Sequence, residues 1–558
     1  MATNTTNFTG GTTSLVPPSG QRVVDAVIGG SKWGAGGAGT AATVSFSFPT
    51  NLVSFDTRPS ISGNYSESDP LGIGFSARLA SFSAFSATQQ EATRAVLQAF
   101  SSVANLSFSE VAADAVDAGA LRFANTAPPG LGATTWGSSW FPQDLAVSGD
   151  TWMNSVFLFP EGWAPGTQNF LTLLHEAGHA LGLKHPHDTG LSGVFGGWPA
   201  NTTVLPFTDT DTLTNESTQT MVMAYNDIPA RGKLGALALQ SDYAPTTAMR
   251  WDIAALQYIY GANTAHNAGD TVYSFDGNAR YNQTLWDGGG NDTIAATGNR
   301  AVEIDLRPAQ WSKLGLPVTF STRNDDNSVA AAQPQFNDAY TVFIYDTVTI
   351  ENAIGGSGND VIYANAVANR LQGGGGIDTV IYTTARAGFA IGKAGQDWTV
   401  AAGGTNVDTL STVERLRFSD NAVALDTAVD GNAGHVAQII RGLFGASYVN
   451  NPVFVGIGLD LRDKGMSYGD LVGLAIGTGI FEQLAGSRSN TDFVRLVYKN
   501  VVGIDASAQA LAEYVGLLDN GSFTQASLGV LACQVSLNTQ ALDLVGLVST
   551  GLEFTPAG

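Results

Sequence analysis

The chain has 558 residues, a formal net charge of −22 and a single cysteine, Cys533. Its length allows several domains with ample core. The acidic balance, with no basic run, excludes nucleic acid and anionic lipid as partners. One cysteine excludes an intrachain disulfide, and no apolar stretch reaches the eighteen or so residues that a membrane span needs.

Residues 1–20 are rich in Thr, Asn and Gly and lack both a charged start and an apolar stretch, so they do not form a Sec-type signal. They are expected to be a flexible leader or short propeptide. From Arg22 the composition becomes that of a folded domain. Ser86-Ala87-Thr88-Gln89 is a capping box, followed at helical spacing by Ala92, Val96, Ala99, Phe100 and Val103. Leu121–Ala124 and Val156–Phe159 read as short strands. A helix, strands and a second helix predict an α+β domain over 21–248.

Four of the six histidines fall in the run His175-Glu176-Ala177-Gly178-His179-Ala180-Leu181-Gly182-Leu183-Lys184-His185-Pro186-His187. It reads H-E-x-x-H-x-x-G-x-x-H. Positions i and i+4 share a helix face, so His175 and His179 can meet one metal ion. Gly182 permits a left-handed turn that ends the helix and returns His185 as a third ligand. Three protein ligands leave one coordination position open, the mark of a catalytic zinc. The metal lowers the pKa of its water to about 7, and Glu176 beside it can take the proton as the water attacks a peptide carbonyl. His187 has no place in the pattern and reads as a surface histidine.

Downstream lies Thr220-Met221-Val222-Met223-Ala224-Tyr225, then Trp251–Asn263 and Gly269–Phe275. With the long zinc motif and His185-Pro186, these segments resemble the serralysin-type metzincin metalloproteases. The resemblance covers about residues 22–425. It implies that Met223 forms an apolar floor under the metal. It also implies that Tyr225 is a movable further zinc ligand that stabilises the oxyanion. Ala224 stands where that family often has serine.

Three glycine-aspartate octets follow, Asp287–Ile294, Gly355–Ile362 and Gly373–Val380. Each fits the pattern of a calcium-binding parallel β-roll. In such turns glycine and aspartate oxygens supply the six to eight ligands calcium takes. The candidates are Asp287, Gly289, Gly290 and Asp292; Gly356, Gly358 and Asp360; and Gly374, Gly376 and Asp378. The last two octets are eighteen residues apart in the numbering, so an intervening copy has degenerated, with Asn365, Asn369 and Leu371 as its remnants. The family resemblance adds Asn267, Gly269, Thr271 and Glu351 as calcium ligands, with Asn267 at a position where the family usually has arginine. The roll is expected over 249–428, with Val413–Asp420 as its closing strand.

After Asp430 the composition turns helical, as in Val436–Phe444 and Phe493–Tyr498. Gly465-Met466-Ser467-Tyr468 and Gly521-Ser522-Phe523-Thr524 each precede an apolar helix, which resembles a pair of DUF4214-type repeats. A small all-α domain is expected over 429–558, with Cys533 buried in it.

The expected molecule is thus a multi-domain, secreted zinc endopeptidase with one catalytic Zn2+ and several structural Ca2+. Its partners are protein or peptide substrates, type I secretion machinery and a bacterial cell-surface component met through the tail. The second reading is a calcium-binding surface or matrix protein with a vestigial protease domain. The intact histidine trio and Glu176 argue against it.

Overall fold

A computed structural model of the chain describes residues 11–55, 64–66, 75–113, 118–132, 135–156, 158, 161–186, 188, 219–224, 239–322, 336–403, 406–543 and 547–556. The chain forms two compact units. The first comprises Met1–Thr271, Asn278–Asp292 and Pro308–Thr349; the second comprises Val272–Gly277, Thr293–Arg307 and Ile350–Gly558. This grouping differs from three successive domains divided at 248 and 428. The segments 278–292 and 308–349 join the first unit, and the helical tail shares the second unit with the repeats.

In the first unit, β1 (Thr13–Leu15) pairs antiparallel with β2 (Ser31–Trp33), and Val16 is buried. The expected flexible leader is therefore ordered from Thr13 onward, held by a ladder and by Val16. A short helix α1 (Arg22–Asp25) lies between the two strands. The sheet is built from β3 (Ala42–Ser47), β4 (Leu106–Glu110), β5 (Leu121–Thr126), β6 (Gly137–Ser139) and β7 (Asp150–Asn154), in the order β4-β3-β5-β7-β6. Along this path all neighbours are parallel except the edge strand β6, which runs antiparallel to β7; the two-residue strand Ser83–Ala84 pairs antiparallel with β5 off the path.

Helix α2 (Ala87–Val103) starts at the expected capping box. Ser86 Oγ accepts from Gln89 N–H, and Gln89 Oε1 accepts from Ser86 N–H at 2.9 Å. Its Ala92, Val96, Leu97, Phe100 and Val103 are buried. Helix α3 (Gln168–Ala180) is buried along its whole length, and α4 (Arg250–Tyr260) follows. The strand expected at Val156–Phe159 is instead β7. Asn154 Oδ1 accepts from Val156 N–H at 3.1 Å, a side-chain turn that ends the strand before the apolar run. Val156 is exposed, and Leu158 belongs to no strand; Phe157 and Phe159 lie outside the described residues.

In the second unit the chain alternates between two parallel ladders. One contains β8 (Val272–Asp276), β9 (Thr293–Thr297), β11 (Asn352–Ile354), β13 (Arg370–Gln372) and β17 (Val407–Ser411). The other contains β10 (Glu303–Asp305), β12 (Val361–Tyr363), β14 (Thr379–Ile381) and β18 (Arg415–Arg417). Strands β15 (Phe389–Ala394) and β16 (Asp397–Ala402) extend the first ladder antiparallel. Asn352 pairs with Arg370 and Val361 with Thr379, so one coil takes the eighteen residues that separate the second and third octets. The central residues Ile294, Ala353, Ile362, Leu371, Val380, Leu410 and Leu416 are buried, which is why each octet ends on an apolar residue.

The expected closing strand falls within Val413–Asp420 as β18, yet the sheet continues. It adds β19 (Ala422–Ala424) and then β20 (Leu552–Phe554), both antiparallel. The tail is therefore helical but ends as a strand in the sheet. Its helices repeat. α5 (Asn432–Phe444), α6 (Pro452–Asp463), α7 (Tyr468–Ile476) and α8 (Gly479–Ala485) recur as α9 (Asn490–Val502), α10 (Ala508–Asp519), α11 (Gln525–Gln534) and α12 (Ser536–Asp543). Cys533 is fully buried in α11. Among the described residues no helix is long and apolar enough to cross a membrane.

Candidate metal centre and acidic turns

Helix α3 ends as the motif demands. Gly182 N–H donates to His179 carbonyl at 2.9 Å and Leu183 N–H to Gly178 carbonyl at 2.9 Å, with Gly182 at φ +100°. This is a Schellman turn, which needs glycine at the left-handed position. A Cβ on Gly182 would also stand 2.4 Å from Ser31 carbonyl. The turn brings His185 back to the helix face that carries His175 and His179.

The three imidazoles converge. His175 Nε2 and His179 Nε2 each lie 3.0 Å from His185 Nε2, and the three candidate ligand atoms fall within 4.8 Å of one another. The outer nitrogens face oxygens. His175 Nδ1 meets Val222 carbonyl at 2.8 Å, His179 Nδ1 meets Leu183 carbonyl at 2.7 Å, and His185 Nδ1 meets an Asp188 carboxylate oxygen at 3.1 Å. A carbonyl only accepts, so the protons of His175 and His179 sit on Nδ1 and leave lone pairs on Nε2. Lone pairs so close repel unless a cation sits between them. The spacing suits zinc, since a tetrahedron with bonds of about 2.0–2.1 Å has edges of about 3.3 Å.

Glu176 is buried beside this cluster. Burial lifts its carboxyl to about 8, against a hydrogen bond from Ser139 and the charge of Arg78. Its Oε2 is buried with no protein partner among the described residues, as expected of a group that holds a water molecule. Edge strand β6 lies against it, and a Cβ on Gly137 would come within 3.0 Å of Oε1.

Met223 is fully buried, and a Cβ on Gly178 would be 2.7 Å from its sulfur, which places Met223 directly against helix α3. Asp252, at the start of α4, accepts from Val222 N–H at 2.6 Å and from Met249 N–H at 3.0 Å. Burial raises Asp252 to about 7 despite these bonds. Tyr225 and His187 lie outside the described residues.

The calcium candidates form two stacks of turns. In the first unit the loop 264–271 lies on the first octet. Thr271 N–H donates to Asp292 Oδ1 at 2.8 Å, and Asp287 Oδ1 accepts from Gly289 N–H at 2.6 Å. Gly290 faces Gly269, with its Cβ position 2.7 Å from the Gly269 carbonyl. Asn267 takes φ +51° in this loop. Asn267, Gly269, Thr271, Asp287, Gly289, Gly290 and Asp292 therefore lie together.

In the second unit the second and third octets stack. A Cβ on Gly374 would lie 2.0 Å from Gly356 carbonyl, and one on Gly376 would lie 2.4 Å from Gly358 carbonyl. Carboxylates link successive turns. Asp360 Oδ1 accepts from Val302 N–H at 2.9 Å, Asp378 Oδ1 from Asp360 N–H at 2.8 Å, and Glu414 from Asp378 N–H at 2.8 Å. Burial, then the charges of Glu414 and Asp360, lift Asp378 to about 7, although the Asp360 N–H bond lowers it. Two buried acids and the half-buried Glu414 at close quarters disfavour one another's charge unless a cation joins them.

Glu351 belongs to the opposite row of turns. Its carbonyl accepts from Asn369 Nδ2 at 2.9 Å. Asn365 Nδ2 donates to Leu306 and Ile350 carbonyls in the same row. The degenerate repeat thus closes its turn with neutral amides.

Reading the sequence missed Asp188, Asp252 and Glu414. Asp188 had a signal, an acid three residues past a candidate metal-ligand histidine. Asp252 and Glu414 act on backbone groups distant in sequence, which no local pattern marks.

Residues 317–439 match the family model described as Peptidase M10 serralysin C terminal. The chain is 33% identical over 315 residues to the metalloprotease AprA of Pseudomonas entomophila, covering 53% of this chain and 57% of that protein. It is 33% identical over 313 residues to serralysin of Proteus mirabilis, covering 51% and 56%. With serralysin B of Dickeya chrysanthemi the identity is 30% over 297 residues, covering 50% and 53%. The chain spans about half the length of the curated relatives it matches.

Proposed function

We propose that this chain, which resembles the serralysin-type metalloproteases over half its length, is a secreted zinc endopeptidase whose second unit folds around calcium. The convergence of three imidazole Nε2 atoms carries the reading, with the Nδ1 protons of His175 and His179 held by backbone carbonyls.

A zinc ion there supplies Lewis acidity toward a water molecule and a scissile carbonyl. The residues do the rest. Glu176, buried and unpartnered at Oε2 among the described residues, accepts the water proton and returns it to the leaving amine. A cation among the imidazoles favours its ionised form and counters the desolvation that raises it. Tyr225 donates a hydrogen bond to the developing oxyanion. Met223 keeps the floor of the site apolar and fixed.

The two acidic stacks hold calcium through Asp287, Asp292, Asp360 and Asp378 and the neighbouring glycine carbonyls. In low calcium Asp287 and Asp292 oppose closure of the first octet's turn in the first unit, Asp360 and Asp378 oppose folding of the second unit, and external calcium relieves both. That coupling fits export of an unfolded chain by type I machinery. The tail repeats are the segment for a cell-surface partner.

Glu176→Gln tests the assignment. The variant should keep its zinc and lose casein hydrolysis by about 10²–10⁴-fold. Hydrolysis at the native rate would remove Glu176 from the chemistry.

A further inference from the structure

Lys184 occupies an unspecified position in the zinc motif, yet it is 1% exposed. Its ammonium donates to Ala26 carbonyl at 2.6 Å, to His185 carbonyl at 3.2 Å and to Asp188 carbonyl at 3.3 Å. Two of these acceptors belong to the loop of the third zinc ligand, one on His185 itself and one on the residue whose carboxylate meets His185 Nδ1. The third belongs to the amino-terminal segment. Asp25 and Asp188 face the ammonium with their charges.

The backbone follows the same line. Lys184 N–H donates to Val27 carbonyl at 2.7 Å, Gly29 N–H donates to Gly182 carbonyl at 2.7 Å, and Ile28 bridges Leu183. Trp33 Nε1 donates to Ala180 carbonyl at 2.7 Å. Val24, Ala26, Val27 and Ile28 are buried, so this segment is part of the core.

A buried ammonium is costly unless its donors are satisfied. Leucine or methionine would fill the same volume without that cost. What the lysine adds is a three-way tie that an apolar side chain cannot make. We infer that Lys184 is a positioning residue for the zinc centre, clamping the His185–Asp188 loop to residues 26–29 so that the third ligand depends on the amino-terminal segment. The inference rests on the zinc reading above. It also divides the amino-terminal region by function. Residues before Val16 can be lost without touching the clamp, whereas a cut within 22–30 frees His185.

The test is zinc affinity of the full calcium-loaded chain by competition with a chromophoric chelator. Lys184→Met should weaken zinc binding 10–100-fold, the range for residues that orient metal ligands. Its KM for a peptide substrate should stay near native, and its lost rate should return as zinc is raised. Lys184→Gln, which keeps one amide donor, should fall between. If Lys184→Met fails to fold, hydrogen exchange of the unaltered protein decides, and zinc loading should protect amides of residues 26–29. Zinc affinity of Lys184→Met within twofold of native overturns the inference, as does exchange in 26–29 that ignores zinc. A native chain that binds no zinc would instead overturn the zinc reading.

Discussion

Asp252 touches no imidazole, yet it holds Val222 N–H while Val222 carbonyl holds His175 Nδ1. The aspartate thus orients a candidate zinc ligand through the backbone of one residue, Val222. Its folded pKa of about 7 stands above the ordinary aspartate value of about 3.9. The sign follows from linkage. A carboxyl raised on folding contributes stability that is full below about pH 4 and is lost as pH rises through about 7. Asp252→Asn keeps an acceptor and removes the charge. The variant should therefore gain Tm relative to the native protein between pH 5 and 8, and a difference independent of pH would contradict the assignment. Asp188 acts on the candidate third ligand, His185, directly. Asp188→Ala should lower zinc affinity about 10–100-fold in chelator competition, with little change in Tm of the second unit.

At the scale of elements, the turn after α3 and the stacked turns each depend on backbone that only glycine allows. Gly182→Ala puts a Cβ 2.4 Å from Ser31 carbonyl at φ +100°. It should cost about 1–3 kcal/mol by denaturant unfolding and weaken zinc binding, because His185 moves with the turn. The two rows of turns in the second unit predict opposite behaviour. Asp378→Asn should raise the calcium concentration for folding on the order of tenfold. Asn369→Leu removes the amide bonds to Glu351 and Asn365 and should cost about 1–3 kcal/mol with calcium or without it.

The elements most legible in the sequence were those written locally. The capping box at Ser86, the i and i+4 histidines and the eighteen-residue repeat each need only neighbours in the chain. Val156–Phe159 misled because its apolarity outweighed the Asn154 turn that ends β7. The order of residues 13–16 was hidden because their partner strand lies at 31–33. The interleaving of 278–292 and 308–349 with the first unit depends on tertiary pairing, such as Phe320 with Ser241, that no spacing announces.

For the whole molecule, the proposed calcium sites would make the folding of the chain follow external calcium. Far-UV circular dichroism should gain β-signal between micromolar and millimolar calcium, and absence of that gain would remove calcium from the account. The candidate zinc centre lies in the first unit and should remain assembled once calcium has folded the chain.

The most direct measurement is zinc content against hydrolysis of an unfolded polypeptide, made on one calcium-loaded preparation. The account predicts one zinc per chain, activity lost when zinc is stripped and regained when it is restored, and neither property in His185→Ala. A native chain that takes up no zinc and stays inert when zinc is supplied would contradict it.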